Sequence, residues 1–107
     1  MALEKITLYH GGNLDQVSDL RAWGLNHQQS FYCTRDRGLA EEARNSHGID
    51  GTLLKIEVPK NEFVEGLEKG YLEERPYMGC IPVDFSREVE VKPGKGTAFM
   101  SQFIRQR

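Results

Sequence analysis

The stretch "GTLLKIEVP", Gly51 to Pro59, sets the frame for the rest of the chain. Leu54, Ile56 and Val58 alternate with Lys55 and Glu57, so the segment reads as a strand with one apolar and one charged face. Such a strand needs partners beside it and an apolar layer over one side. A chain of 107 residues suits one small domain, 1–107, with most apolar residues committed to a modest core.

The neighbouring elements follow from the same kind of reading. Lys5 to Tyr9 is a first strand. Asn13 is suited to cap a helix whose Gln16 reaches back to it; Leu14, Val17 and Leu20 recur at helical spacing, and Gly24 stops the helix. Ser30 to Cys33 is a short aromatic strand, in which Cys33 faces away from Tyr32. The next segment offers a cap at Thr34 or Asp36, then a helix with Leu39, Ala40 and Ala43 on one side. Pro59, Lys60 and Asn61 turn the chain. From Phe63 to Asp84, Gly66, Gly70, Pro76, Gly79 and Pro82 interrupt any long element. "REVEV" is a final strand with Val89 and Val91 opposed to Glu88 and Glu90, and the tail around Phe99, Phe103 and Ile104 admits a strand or a short helix. The order predicts a small α+β fold with two helices in its N-terminal half.

Charge and cysteine usage narrow the function classes. Fourteen basic and 16 acidic residues give a net charge of -2, which disfavours nucleic-acid binding by bulk electrostatics. Cys33 and Cys80 lack C-x-x-C spacing, so neither a disulfide framework nor a zinc site is expected, and a reducing, cytoplasmic setting is the simpler expectation. No apolar run is long enough to span a membrane and no secretory pattern begins the chain.

One short stretch reads as an ordinary turn when taken alone and gains weight beside the rest of the chain. "ITLYHGG", Ile6 to Gly12, places a histidine at the lip of a strand with two glycines behind it. With Gly24-Leu25, Phe31-Tyr32, and Leu39-Ala40 with Ala43 in the same order, the chain resembles the ADP-ribosyltransferase superfamily. The resemblance is to the histidine–tyrosine–glutamate branch that includes diphtheria toxin and the poly(ADP-ribose) polymerases, and it covers residues 4 to 92. Ser30 departs from the glycine that usually precedes the aromatic pair.

The resemblance implies split antiparallel sheets and NAD as substrate. It implies transfer of ADP-ribose to an unknown protein or nucleic-acid acceptor, or to water, as in a toxin-like effector. His10 would hydrogen-bond a ribose hydroxyl, the Gly11 backbone would meet the nicotinamide carboxamide, and Tyr32 would stack on the nicotinamide ring. Tyr9 would pack in the core or line the site from behind. The catalytic carboxylate would be Glu74 by spacing from the "MGCIP" stretch, with Glu73 next and Glu88 or Glu90 as outside candidates. The partner group that the family often carries two positions earlier would fall on Leu72 or Tyr71, and neither can supply it. Arg35 and Arg37 could pair with the pyrophosphate at a helix start, and Thr34 could touch the ligand or cap the helix. Two other readings use the same fold: a non-catalytic NAD or ADP-ribose binding module, and an RNA 2′-phosphotransferase-like enzyme, which would need more basic groups.

Overall fold

The charged and apolar alternation of Gly51–Pro59 (β3) is realised against Lys5–Asn13 (β1), its antiparallel partner from Lys5↔Pro59 to Asn13↔Gly51. Leu8, Leu54, Ile56 and Val58 are almost wholly buried between this pair and the rest of the chain. The computed structural model describes residues 4–76 and 87–104, so Cys80, Ile81 and the rest of the "MGCIP" stretch lie outside the described residues. β1 does not stop at Tyr9: His10, Gly11 and Gly12 continue the ladder, because β3 is long enough to pair with them.

Leu14–Trp23 (α1) starts where the sequence predicts, with the Asn13 side chain accepting from the Gln16 N–H. Gly24, at φ 83°, ends it, its N–H donating to the Leu20 carbonyl. Of the three apolar residues expected to face inward, Val17 is buried and Leu20 packs at the edge, but Leu14 is exposed; the helix is held by a narrower contact than its spacing suggests. Phe31–Cys33 (β2) leads into Arg37–Asn45 (α2). The cap of α2 is Asp36, which accepts from the Leu39 N–H, while the Thr34 hydroxyl accepts from the Asp36 N–H one step earlier. Thr34 is therefore not the cap.

Lys60–Glu68 (α3) is a helix where only a turn was expected. Gly66 reads as a breaker in the sequence, yet it sits inside the helix, where a Cβ would come within 3.1 Å of Leu72 and 3.2 Å of Phe99. Leu72–Pro76 (β4) and Arg87–Val91 (β5) complete a three-stranded antiparallel sheet in the order β2-β5-β4, and the tail forms Lys95–Ile104 (α4). The result is a small α+β molecule with two antiparallel sheets and, among the described residues, four α-helices. None of these helices is long and apolar enough to cross a membrane.

Among the described residues, one backbone bridge joins the two sheets. The Tyr9 N–H donates to the Thr34 carbonyl at 2.7 Å and the Thr34 N–H returns to the Tyr9 carbonyl at 2.9 Å. Beyond that bridge β1 and β2 diverge.

Candidate functional site: a cleft at the splay between two strands

The divergence is wedged open by His10. Its Nδ1–H donates to the Tyr32 carbonyl at 2.7 Å, and its ring lies 4.5 Å from that of Phe31. A side chain thus occupies the place of the next inter-strand backbone bond. Because Tyr9 bonds toward β2, ladder alternation turns the N–H and C=O of Gly11 the same way, away from β3 and into the splay. Pro59, opposite Lys5 in the same alternating set, needs no N–H, in agreement with that phase.

A cleft of about 460 Å³ opens at this point. Tyr9, His10 and Gly11 form its β1 side, Tyr32 and Thr34 its β2 side, and Leu39, Ala40 and Ala43 of α2 an apolar wall. Glu42 and Glu88 supply its carboxylates. No lysine or arginine lines it among the described residues.

Burial holds the His10 pKa below its ordinary value, opposed by the Tyr32 carbonyl and the nearby Gln16 amide; His47 adds to the lowering. The ring is therefore neutral at pH 7. With Nδ1–H committed to Tyr32, the tautomer leaves a lone pair on Nε2, which is buried and meets no hydrogen-bond partner among the described residues. Nε2 can accept from a ligand hydroxyl once the exposed Gln16 side chain moves aside. Cys33 also borders the cleft, but burial pushes its thiol far up, so it is no nucleophile at neutral pH.

Gly11 has a second reason for lacking a side chain. A Cβ there would run into the Ala40 carbonyl and come within 2.5 Å of the Arg44 nitrogen, so α2 can lie on β1 only over a glycine. Gly51 meets the Arg44 carbonyl in the same way on β3. The close approach that builds the α2 wall also leaves the Gly11 peptide uncovered on its β2 side.

The four candidate carboxylates separate by strand register. Tyr32 stands opposite Glu90, and Glu90 opposite Glu73, so these three share the outer face of the three-stranded sheet; Glu88 and Arg75 are the next pair on that face. Glu74 pairs with Val89 and Cys33 on the other face, where its carboxylate is 3.5 Å from Arg35 Nη1. Glu73 accepts from Lys92 Nζ at 2.8 Å. Neither Glu73 nor Glu74 lines the cleft, whereas Glu88 does. Glu90 accepts from Ser30, Arg75 and Lys92, and these bonds, Ser30 foremost, hold its pKa below the usual carboxylate range against the opposing effect of burial. Spacing along the chain pointed to Glu74; the pairing of β5 with β2, invisible in the sequence, is what brings Glu88 to Tyr32's side.

Arg35 points to the Phe63 ring and Glu74, away from the cleft lining. Arg37 lies over the ring of cleft-lining Tyr9 at 5.9 Å and pairs with Glu41 at 2.8 Å. Thr34 lines the cleft while buried and bridged to Tyr9. His27 is tied to Thr97 at 2.8 Å and is not among the residues that line the cleft. Among the described residues no group of three or more His, Cys, Asp or Glu could hold a metal ion.

The arrangement can grip a flat amide-bearing ring between Tyr32 and the Gly11 peptide, accept a hydrogen bond from a hydroxyl at His10 Nε2, and set a carboxylate beside a developing positive charge. No family model matches this sequence, and no curated protein or solved structure matches it significantly, so the cleft's own geometry has to carry the functional reading.

Proposed function

We propose that this chain is an NAD-dependent ADP-ribosyltransferase of the histidine–tyrosine–glutamate type, or with water as acceptor an NAD glycohydrolase, on an ADP-ribosyltransferase-like fold. The observation that carries the reading is the convergence of His10, the Gly11 peptide and Tyr32 on one cleft, with His10 bonded to the Tyr32 carbonyl. Two antiparallel sheets that meet at one bridge and splay beside it support the fold reading.

In the reaction, the bond from ribose C1′ to the nicotinamide nitrogen breaks, and its electron pair leaves with nicotinamide. The cation that remains on the ribose is trapped by an acceptor, which then gives up a proton. Gly11 and Tyr32 orient the leaving ring, His10 Nε2 takes a ribose hydroxyl, and Glu88 in place of Glu74 or Glu73 steadies the cation. The pyrophosphate extends past the mouth toward Arg37. A lining without lysine or arginine among the described residues favours this reading over RNA 2′-phosphotransfer, which needs cations around a phosphate.

Incubation with NAD labelled in the adenylate half, followed for free nicotinamide and for label on protein, DNA or RNA, tests the proposal. Nicotinamide release is expected. Glu88→Gln lowers turnover by about 100-fold or more while NAD still binds, and Glu74→Gln leaves turnover near that of the parent protein. NAD binding measured calorimetrically with no nicotinamide release would instead support the non-catalytic binding module.

A further inference from the structure

Across the outer face of the three-stranded sheet one side chain joins the two cleft groups that come from β2 and β5. Arg75 sits on β4, directly opposite Glu88, and its guanidinium reaches over β5. Nε is 3.7 Å from Glu88, Nη1 donates to Glu90 at 2.8 Å and is 3.6 Å from Glu73, and the guanidinium carbon lies 5.8 Å from the centre of the Tyr32 ring. Arg75 itself is outside the cleft lining.

We infer that Arg75 is the positioning residue of the site, its guanidinium fixing the Tyr32 ring and the Glu88 carboxylate together from behind. The inference rests on the proposed function for its consequence in turnover. Tyr32 is 43 % exposed and packs no second aromatic ring among the described residues, so its orientation depends on what lies over its outer face. Glu88 has only Arg75 as an ion-pair partner among the described residues. Arg75, by contrast, is over-determined: Glu90, Glu73 and Glu88 surround it, and Ser30 and Lys92 hold Glu90 in turn. A planar fork meets a ring face and separate carboxylates at once, which a lysine ammonium on a flexible stem cannot reproduce.

The test pairs turnover with a readout independent of activity, the ring signals of Tyr32 in protein carrying 13C-labelled tyrosine. Arg75→Ala and Arg75→Lys are both expected to shift the Tyr32 signals and to reduce the rate of nicotinamide release at saturating NAD by about 10- to 100-fold, with NAD affinity changed less than threefold. Unmoved Tyr32 signals would overturn the inference, as would a rate restored by lysine, since charge alone would then suffice. A loss confined to NAD affinity would also overturn it, because Arg75 would be binding the ligand itself. If the parent protein releases no nicotinamide, the functional reading fails separately, and the Tyr32 signals still decide whether Arg75 holds the ring.

Discussion

His10 shows how one residue can serve the fold and the site together. Its Nδ1–H replaces a backbone bond at the splay, and its Nε2 meets no hydrogen-bond partner among the described residues. The histidine was legible in the sequence through its place at the lip of an apolar run, in order with the later Phe31-Tyr32 and Leu39-Ala40, though its strand runs on to Asn13. Its bond to Tyr32, 22 residues away, was not, since no local pattern encodes it. Burial depresses the folded-state pKa below the ordinary 6.5, so between those two values the unfolded chain binds the proton more readily. Stability from this group is therefore complete above about pH 6.5 and falls as pH drops toward the folded pKa, with a slope of at most about 1.4 kcal/mol per pH unit. Urea midpoints measured from pH 7.5 to 5 should decline more steeply in the parent protein than in His10→Gln, which has no titrating group at that position. Parallel declines would show that His10 is not titrating against burial.

At the scale of elements, β3 was readable because alternation is a local signal: Leu54, Ile56 and Val58 are buried and Lys55 and Glu57 are not. α3 was unreadable because Gly66 is a breaker by intrinsic preference and a packing position in fact, and preference is all that a lone sequence displays. The paired glycines behind His10 divide in the same way. At Gly11 an added methyl meets the backbone of α2 at Ala40 and Arg44, which cannot move without lifting the helix. At Gly12 it meets the end of the Gln16 side chain, which is exposed and free to rotate. Gly11→Ala should cost about 2–3 kcal/mol, in the range of overpacked positions, and Gly12→Ala less than about 1 kcal/mol. Denaturant unfolding of the two variants side by side would check this, and equal losses would mean that α2 does not rest on Gly11.

At the scale of the whole molecule, a second set of long-range polar contacts closes α4 over the connection between α1 and β2. Ser101, nearly buried, accepts the Leu25 N–H at 2.9 Å through Oγ while donating to the Thr97 carbonyl at 2.7 Å. Thr97, fully buried, contacts His27 Nδ1 at 2.8 Å, and the Gly94 N–H donates to the His27 carbonyl at 2.9 Å. The tail was ambiguous between strand and helix because Phe99, Phe103 and Ile104 satisfy either period. Its polar residues, which looked like surface, settle the matter physically: Thr97 and Ser101 are four apart on one helical face and serve the loop they cover. This clamp fixes the segment that delivers Phe31 and Tyr32 into the sheet. Ser101→Ala keeps the apolar packing of α4 but leaves the Leu25 N–H buried with no acceptor, a loss of about 1–3 kcal/mol. Hydrogen exchange gives the sharper reading: the Leu25 amide should lose protection by 10-fold or more beyond the global destabilisation, while the Leu54 and Ile56 amides in the β1–β3 pair should follow the global change alone. If Leu25 keeps its protection in Ser101→Ala, α4 holds the loop by apolar contact only, and the clamp has no part in setting the position of Tyr32.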